Sequence, residues 1–383
     1  MPLFDLRVLP LLIFLMLAAW PLVLYPALML LARRLQTPPA PAPEPADWPR
    51  AALVICALNE ARVIGAKLDN SLALDYPPGR LRIVVVSDGS TDATAAIVRG
   101  YQDRGVQLIE QPARRGKLTN LNEVIPACPE EFVVLSDANV MYDAAAIRRL
   151  MARFTDARTG CVSGKVIITN TTPGLSQGEG SYYSVEWMLQ EQASRLYSMI
   201  GADGAMYALR RALYEPCPAG TLIEDLVIPL SIVGRGYRAV MEPRAVGWEE
   251  GPSSEAEEFK RKVRIAAGAS QALVRGNGWP RRGAPARFWF LFVSHKLLRW
   301  LVPVSLLGAL AAAALTWAHP VSQLVLAGFA LLILLALVRW ASGWRSTLFD
   351  TPYYFLFGQV AVAVGLWRGI AGTQSVLWEK VNR

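Results

Sequence analysis

The distribution of apolar residues along the chain restricts its fold more than any other feature of the sequence. Residues 8–32 form an almost unbroken apolar stretch that is followed by Arg33 and Arg34. About 20 apolar residues are enough to cross the hydrocarbon core of a bilayer, whereas the apolar part of a signal peptide has only about 7–15. The stretch is therefore predicted to be a retained membrane anchor. Three further apolar runs lie towards the C-terminus, at residues 300–317, 321–338 and 352–367.

Composition and charge also indicate a membrane environment. Hydrophobic residues make up 53% of the chain and charged residues only 18%, compared with roughly a quarter charged residues in ordinary soluble domains. The net charge of +8 suits either nucleic acid or the anionic cytoplasmic face of a membrane. Because the apolar segments already require a lipid bilayer as partner, no nucleic-acid partner is predicted.

The basic residues beside the apolar segments predict the orientation in the membrane. Arg33 and Arg34 follow the first segment, and Arg339 follows the run at 321–338, whereas the connection 318–320 contains neither Lys nor Arg. Basic residues concentrate on the cytoplasmic side of membrane proteins. We therefore expect a multi-pass protein of the inner (cytoplasmic) membrane whose polar middle region lies in the cytoplasm.

Two segments near the C-terminus have more than one interpretation. The run at 352–367 is compatible with a short span, a re-entrant segment or a helix at the membrane surface. The aromatic and basic residues of 281–296 suit an interfacial amphipathic segment, with a buried core helix as the alternative. The predicted division is an N-terminal transmembrane anchor (1–35), a Pro/Ala linker (36–50), a catalytic-sized domain (51–280), the interfacial segment (281–296) and a membrane region with two or three spans (297–383).

The middle region has the pattern of an α/β domain. Short apolar runs have the length of buried strands, and segments with helical spacing separate them. This alternation predicts a mainly parallel sheet with helices on both faces, and ligands bind such sheets beyond the carboxyl ends of the strands. No Gly-x-Gly-x-x-Gly follows the first run, so a dinucleotide cofactor is not predicted. The predicted strands are 51–57, 82–86, 106–109 and 132–135.

Acidic and amide side chains follow all four of these strands, with Glu110-Gln111 after the third. Asn59 and Glu60 follow the first strand, Asp88 lies in Ser-Asp-Gly-Ser after the second, and Asp137 and Asn139 lie in Ser-Asp-Ala-Asn after the fourth. Oxygen ligands two residues apart can hold Mg²⁺ or Mn²⁺ against a diphosphate. An Asp-x-Asn turn without any metal is the alternative for the last pair.

A later acidic pair, Glu224-Asp225, precedes an apolar segment that is predicted to be helical. Thr221 and Glu224 fit a helix capping box, which is a purely structural role. Asp225 would lie at the positive end of the helix, where a carboxylate stays ionised at neutral pH and can act as a general base.

Three basic residues are candidates for phosphate contacts. Lys117 follows Arg-Arg-Gly before a predicted helix, and Arg261 and Arg264 lie on a helix predicted over 255–274. Ion pairs on a solvated helix face are the alternative for both arginines, because Glu257 and Glu258 stand four residues before Arg261 and Lys262. A merely solvated side chain is the alternative for Lys117.

In their order and spacing, these motifs resemble the membrane-bound family 2 glycosyltransferases, which include synthases of cellulose, hyaluronan and poly-N-acetylglucosamine. The resemblance covers about residues 50–270. It implies a GT-A (Rossmann-like) domain that uses Mg²⁺ or Mn²⁺. It also implies inverting transfer from a nucleoside diphosphate sugar to a lipid-linked or polysaccharide acceptor.

The resemblance also implies roles for individual residues. Asp225 would be the catalytic base, Asp137 and Asn139 would bind the metal, and Asp203 and Glu224 would lie on the acceptor side. The donor would be bound by Asn59, Glu60, Asp88, Lys117, Asp137, Arg261 and Arg264.

This sequence departs from the family pattern at two places. Asn139 replaces the second Asp of the Asp-x-Asp motif, which leaves one metal ligand neutral. Residues 261–265 are Arg-Lys-Val-Arg-Ile where the polymer synthases have Gln-x-x-Arg-Trp. Three hypotheses follow: transfer of one sugar to a lipid-linked acceptor, processive synthesis of a secreted polysaccharide, and a non-catalytic nucleotide-binding scaffold.

Overall fold

The computed structural model describes residues 5–37, 40–169, 175–252 and 254–377. Parts of four predicted segments lie outside these ranges: residues 1–4 of the anchor, 38–39 of the linker, 170–174 and 253 of the catalytic-sized domain, and 378–383 of the C-terminal membrane region.

The central element is one eight-stranded sheet with the strand order β3-β2-β1-β4-β7-β6-β8-β5. Strands β3, β2, β1 and β4 are parallel to one another, β7 is antiparallel to both β4 and β6, and β8 is parallel to β6. The strands are β1 (Ala51–Ala57), β2 (Leu81–Asp88), β3 (Val106–Gln111), β4 (Phe132–Asp137), β5 (Met141–Tyr142), β6 (Thr159–Thr169), β7 (Met206–Arg210) and β8 (Arg238–Glu250).

Helices pack on both faces of the sheet and continue beyond it at both ends. In chain order they are α1 (Leu6–Leu35), α2 (Ile64–Leu72), α3 (Thr94–Arg99), α4 (Lys117–Ala127), α5 (Ala146–Ala152), α6 (Leu175–Leu196), α7 (Glu224–Gly234), α8 (Glu255–Arg275), α9 (Ala286–Trp300), α10 (Val302–Leu315), α11 (Pro320–Ser342) and α12 (Thr347–Ala371).

The predicted parallel half of the sheet is confirmed, and the alternation of side chains explains its stability. Successive residues of a strand point to opposite faces, so Val54 enters the core on one face and Leu53 and Ile55 enter the core on the other. Both faces of β1 are therefore buried, as its continuous apolar run indicates. The sequence did not predict β5 to β8. Strand β6 contains glycine and lysine, and β8 contains glycine, arginine and glutamate; these residues interrupt the apolar pattern that identifies buried strands.

Among the described residues, three helices are long and apolar enough to cross a membrane: α1, α11 and α12. Helices α9 and α10 would form a fourth crossing if the two were one span, but the chain bends by 63° between them. The apolar run at 300–317 contains α10, which begins directly after this bend. Pro303 stands in the first turn of α10, where a proline fits because that position needs no N–H donor, whereas it would interrupt a continuing helix.

Helix α12 runs alongside α8 over the whole length of α8. Near their beginnings, the Tyr353 hydroxyl donates to the Glu255 carboxylate at 2.9 Å. Further along, the Ser270 hydroxyl donates to the Leu366 carbonyl at 3.1 Å. A Cβ atom on Gly365 would lie only 2.5 Å from the Val263 carbonyl oxygen. Helix α12 therefore packs directly on the α/β domain.

The segment predicted to be interfacial is also in contact with the domain. Phe288, Leu291 and Phe292 of α9 are buried in the same core cluster as Tyr25 and Met29 of α1. Phe290 on the same helix is 41% exposed. The buried face of α9 thus joins the N-terminal helix to the catalytic-sized domain.

Candidate active site

The first predicted donor-binding residue, Asn59, connects two loops at the carboxyl edge of the sheet. Its backbone is left-handed, with φ of 55°, a conformation that asparagine adopts more readily than most residues. Its Oδ1 accepts a hydrogen bond from the Thr91 backbone N–H at 2.7 Å, and its own N–H donates to the Ser90 hydroxyl at 3.1 Å. The next residue, Glu60, donates its backbone N–H to the Thr94 hydroxyl at 2.8 Å. These bonds fix the loop after β1 to the loop after β2.

Asp88, the last residue of β2, organises the loop before α4. Its two carboxylate oxygens accept backbone hydrogen bonds from Arg115 at 2.7 Å and from Gly116 at 2.8 Å. Gly116 has φ of 91°, which favours glycine at this position. The loop therefore places Lys117, the first residue of α4, at the edge of the sheet.

Lys117 is the cation at the centre of the site. Its Nζ lies 2.8 Å from Asp137 Oδ1, 3.1 Å from Glu224 Oε1 and 3.3 Å from the Gly204 carbonyl oxygen. Burial alone would lower the pKa of this lysine, but the charges of Asp137 and Glu224 outweigh burial and hold the pKa well above its usual value. The structure thus brings together three predicted site residues that are far apart in the sequence.

Asp225, the predicted base, lies in the first turn of α7. Burial, followed by the charge of Glu224, raises the pKa of its carboxyl to about 7. Burial therefore opposes the helix end, which the sequence analysis expected to keep Asp225 ionised. The capping-box prediction is also wrong: the Thr221 hydroxyl donates to the Pro218 carbonyl, and the position before α7 is Ile223.

A second buried carboxyl, Asp203, lies near Asp225. The Ala202 backbone N–H donates to the Asp225 carbonyl oxygen at 2.8 Å, and a Cβ atom on Gly204 would lie 2.9 Å from Asp225 Oδ2. Burial and the charge of Glu249 raise the pKa of Asp203 to about 7. Residues 202–204 thus pack closely against the predicted base.

Glu249 is a site residue that the sequence analysis missed. It lies near the end of β8, and its Oε2 accepts a hydrogen bond from Asn139 Nδ2 at 3.3 Å. Its charge is the largest electrostatic influence on Asp203. The available sequence feature was the acidic pair Glu249-Glu250, but no continuous apolar run precedes it, unlike Asp88 and Asp137.

The donor set suits a hard divalent cation. Asp137 supplies a carboxylate that is 39% exposed, and Asn139 supplies an amide oxygen within two residues. Within the described ranges, no three His, Cys, Asp or Glu side chains are placed to hold a metal ion on their own. Mg²⁺ commonly binds one or two carboxylates and completes its coordination with substrate phosphates and water. The residues therefore fit a metal that binds together with a diphosphate.

The two arginines of α8 have different surroundings. Arg261 makes a bidentate contact with the fully buried Glu258, through Nε at 2.7 Å and Nη2 at 2.9 Å. Arg264 donates to the carbonyl oxygens of Ser375 at 3.2 Å and Val376 at 3.3 Å. Burial lowers the pKa of Arg264, while the charges of Glu224 and Asp225 oppose that shift. Arg264 thus faces the acidic pair, beneath the segment that follows α12.

One of the predicted ion pairs of α8 is confirmed: Glu258 pairs with Lys262 at 2.7 Å. Glu258 also accepts a bond from Arg261 at 2.7 Å.

The fold and the site define a class of protein. It has a GT-A-like α/β fold with a lysine and several carboxylates at the carboxyl edge of its parallel strands. Residues 49–268, more than half of the chain, match the family described as "Glycosyltransferase like family 2". The chain belongs to that family.

Two curated relatives share this region. The probable glycosyltransferase YdaM of Bacillus subtilis (strain 168) is 25% identical over 240 residues, which are 60% of this chain and 57% of the relative. The poly-beta-1,6-N-acetyl-D-glucosamine synthase of Staphylococcus epidermidis is 24% identical over 233 residues, which are 59% of this chain and 56% of the relative. The matched region thus spans a little over half the length of these relatives.

A solved structure extends the likeness in fold to nearly the whole chain. The mannosyltransferase PcManGT from Pyrobaculum calidifontis, solved in complex with GDP-Man and Mn²⁺, superposes with a TM-score of 0.73. The superposition covers 95% of this chain and 100% of that one, at 24% sequence identity. This likeness confirms the GT-A-like fold.

Proposed function

We propose that this protein transfers a sugar from a nucleoside diphosphate sugar to a membrane-associated acceptor, in the synthesis of an exopolysaccharide or a glycolipid. The observation that carries the proposal is the placement of a half-buried carboxyl, Asp225, beside the Lys117–Asp137 pair in a family 2 domain. A carboxyl with a pKa of about 7 is suited to accept a proton near neutral pH.

The donor would bind across the loops that follow β1, β2 and β4. Asn59, Glu60 and Asp88 lie in or fix the loops that would hold the nucleoside. Lys117 would contact the diphosphate, since its ammonium is the cation nearest Asp137. Nucleotide binding at the carboxyl edge of parallel strands agrees with the general rule for α/β sheets. A UDP-sugar is the first candidate, and the GDP-Man bound to PcManGT makes GDP-sugars the second.

Asp137 and Asn139 would hold Mg²⁺ or Mn²⁺ together with the diphosphate oxygens. When bound, the metal would offset the negative charge that develops on the leaving diphosphate. Asn139 is held by Glu249 at 3.3 Å, so Glu249 would orient the neutral ligand of this pair. The Mn²⁺ bound to PcManGT supports a divalent cation in this fold.

The proposed reaction is one displacement with inversion at the anomeric carbon. Asp225 takes the proton from the acceptor hydroxyl, and the hydroxyl oxygen bonds to the anomeric carbon as the bond to the diphosphate breaks. The diphosphate leaves with the electron pair. Arg264, which faces the acidic pair, would stabilise the leaving group. Arg261 would support the same helix from its contact with Glu258.

The acceptor would approach from the side of Asp203 and Glu224. Asp203 lies in the segment that packs against Asp225, and Glu224 orients Lys117. Helices α1 and α11 and the bent pair α9–α10 would cross the inner membrane and leave the catalytic domain in the cytoplasm. Helix α12 would lie at the membrane surface, because it packs along α8 of that domain. A lipid-linked acceptor could then reach the site from the bilayer.

Single transfer is the first form of the proposal, and processive synthesis is the second. Ile265 stands where polymer synthases have the Trp that lies by the acceptor sugar, and its side chain is 47% exposed. A site without that stacking surface favours release after one transfer. The synthase among the curated relatives favours the processive form.

Incubation of the purified protein in detergent with UDP- and GDP-sugars, Mn²⁺ and a polyprenyl phosphate or polysaccharide acceptor tests the proposal. Saturable turnover with one donor, absent in Asp225→Asn, is the expected result. Product length on a gel separates single transfer from polymer synthesis. Nucleotide binding without turnover of any donor would overturn the proposal and support the hypothesis of a non-catalytic nucleotide-binding scaffold.

A further inference from the structure

A basic cavity lies where the C-terminal end of α1 meets the α/β domain, apart from the candidate active site. Its volume is about 260 Å³. It is formed by the last turn of α1, the end of α6, the residue after α5 and a turn within β8. The charged residues of its lining are Arg33, Arg153, Arg195, Arg244, Glu191 and Glu242.

The charges of this lining do not balance. Glu242 is fully buried and accepts hydrogen bonds from Arg153 Nε at 2.6 Å and Arg244 Nε at 2.8 Å. Burial would raise the pKa of Glu242, but the bonds from Arg244 and Arg153 lower it, so this carboxyl is ionised. Glu191 accepts a bond from Arg195 Nη2 at 2.6 Å. Two carboxylates thus face four guanidinium groups, and the cavity has an excess of two positive charges.

Within the described residues, one buried guanidinium donor of this cavity and the exposed guanidinium of Arg33 have no acceptor. Arg195 Nε is buried and has no hydrogen-bond partner. For the Arg33 side chain, no hydrogen bond or ion pair is found in the part of the chain that the structure describes. Buried donors normally find partners, and leaving one without an acceptor costs about 1–3 kcal/mol. Planar guanidinium groups are suited to bind phosphate oxygens through two parallel hydrogen bonds.

We propose that this cavity is a binding site for a phosphate group, with the headgroup of an anionic phospholipid as its source. The position of Arg33 favours a lipid. Helix α1 has 30 residues, which corresponds to a length of about 45 Å, compared with a hydrocarbon core of about 30 Å. The last turn of α1, which contains Arg33, therefore lies at the level of the headgroups. A soluble phosphate compound is the other source of the same chemistry.

The experiment measures binding to the full-length protein, purified and delipidated in detergent, and needs no turnover. The probes are dioctanoyl phosphatidylglycerol, dioctanoyl phosphatidylcholine and glycerol 3-phosphate, with complexes counted by native mass spectrometry. The variant is Arg33→Gln, and the matched control is Arg34→Gln. Arg34 carries the same charge on the same turn of α1 but does not line the cavity. Unfolding temperatures of both variants confirm that they remain folded.

We expect saturable binding of phosphatidylglycerol that is weakened about fivefold by Arg33→Gln, the effect of one basic residue near anionic headgroups, and less than twofold by Arg34→Gln. The zwitterionic lipid should bind more weakly than phosphatidylglycerol. If glycerol 3-phosphate binds as tightly, with the same dependence on Arg33, the phosphate site stands and its source is soluble. Equal losses in both variants, or no saturable binding of either anionic probe, would overturn the proposal.

Discussion

Lys117 Nζ lies 2.8 Å from Asp137 Oδ1, which joins the start of α4 to the end of β4. The lysine therefore neutralises the carboxylate that would ligate a metal, and the two groups would exchange partners if a metal and a diphosphate bound as proposed. Because the ammonium is also 3.1 Å from Glu224, this one cation connects the donor side of the site with the acidic pair that contains the proposed base.

Asp225→Asn is the most direct test of the proposed base. The amide keeps the shape of the side chain but cannot take a proton, so transfer should fall by at least about 10²-fold while nucleotide binding persists. The measurement is donor turnover together with binding of the nucleoside diphosphate by calorimetry. Near-normal transfer by the variant would show that another group accepts the proton.

The pH dependence of transfer should follow the carboxyl of Asp225. Its pKa is raised to about 7, first by burial and then by the charge of Glu224. Below that pH the carboxyl is protonated and cannot act as a base, so the rate should rise about tenfold per pH unit up to about pH 7 and then level off. Glu224→Gln removes the charge that raises this pKa and should move the rising limb to lower pH. A limb that does not move in the variant would contradict this assignment.

Metal binding should depend on Asp137 and improve with a carboxylate at position 139. Asp137→Ala should abolish the metal dependence of donor binding, because the remaining ligand is neutral. Asn139→Asp should lower the half-saturating Mn²⁺ concentration. It should also lower the unfolding temperature of the metal-free protein, since the new carboxylate would lie beside Glu249, 3.3 Å from the present amide. Full activity of the wild-type protein in excess chelator would contradict the metal proposal.

Arg264 is expected to contact the leaving diphosphate. Arg264→Ala should depress transfer strongly, and Arg264→Lys should recover only part of it, because a point charge does not reproduce the guanidinium fork. Lys260→Ala, an exposed position on the same helix, is the matched control. The Arg264 side chain also holds the carbonyls of Ser375 and Val376, so inhibition by the nucleoside diphosphate is measured in each variant. If the wild type and the three variants show equal transfer and equal inhibition by the nucleoside diphosphate, Arg264 only packs against the segment that contains Ser375 and Val376.

Parts of the site could be predicted from the sequence because of a simple geometric rule. The carboxyl ends of adjacent parallel strands meet at one edge, so residues after β1, β2 and β4 had to converge. Asp137 lies in register with Cys56 of β1. Glu249 could not be placed in this way, because β8 lacks a continuous apolar run and pairs with a strand about 80 residues earlier in the chain. The pKa of Asp225 depends on burial by distant segments, which helix position alone does not reveal.

The contact between α8 and α12 should require glycine on α12. A Cβ atom on Gly365 would lie 2.5 Å from the Val263 carbonyl oxygen, and one on Gly369 would collide with the Ala267 carbonyl and the Ser270 hydroxyl. Gly365→Ala and Gly369→Ala should therefore each destabilise the protein by about 1–3 kcal/mol, the usual cost of overpacking. The measurement is the unfolding temperature in detergent.

The same helix offers a matched control for this prediction. A Cβ atom on Gly358 meets nothing within 4 Å, so Gly358→Ala should leave stability unchanged or raise it slightly, because alanine favours helix over glycine by about 1 kcal/mol. Helix α8 carries Arg261 and Arg264, so loosening α12 should also lower transfer. If all three alanine variants unfold at the same temperature, α12 does not pack on α8 through its glycines, and the placement of α12 against the catalytic domain is wrong.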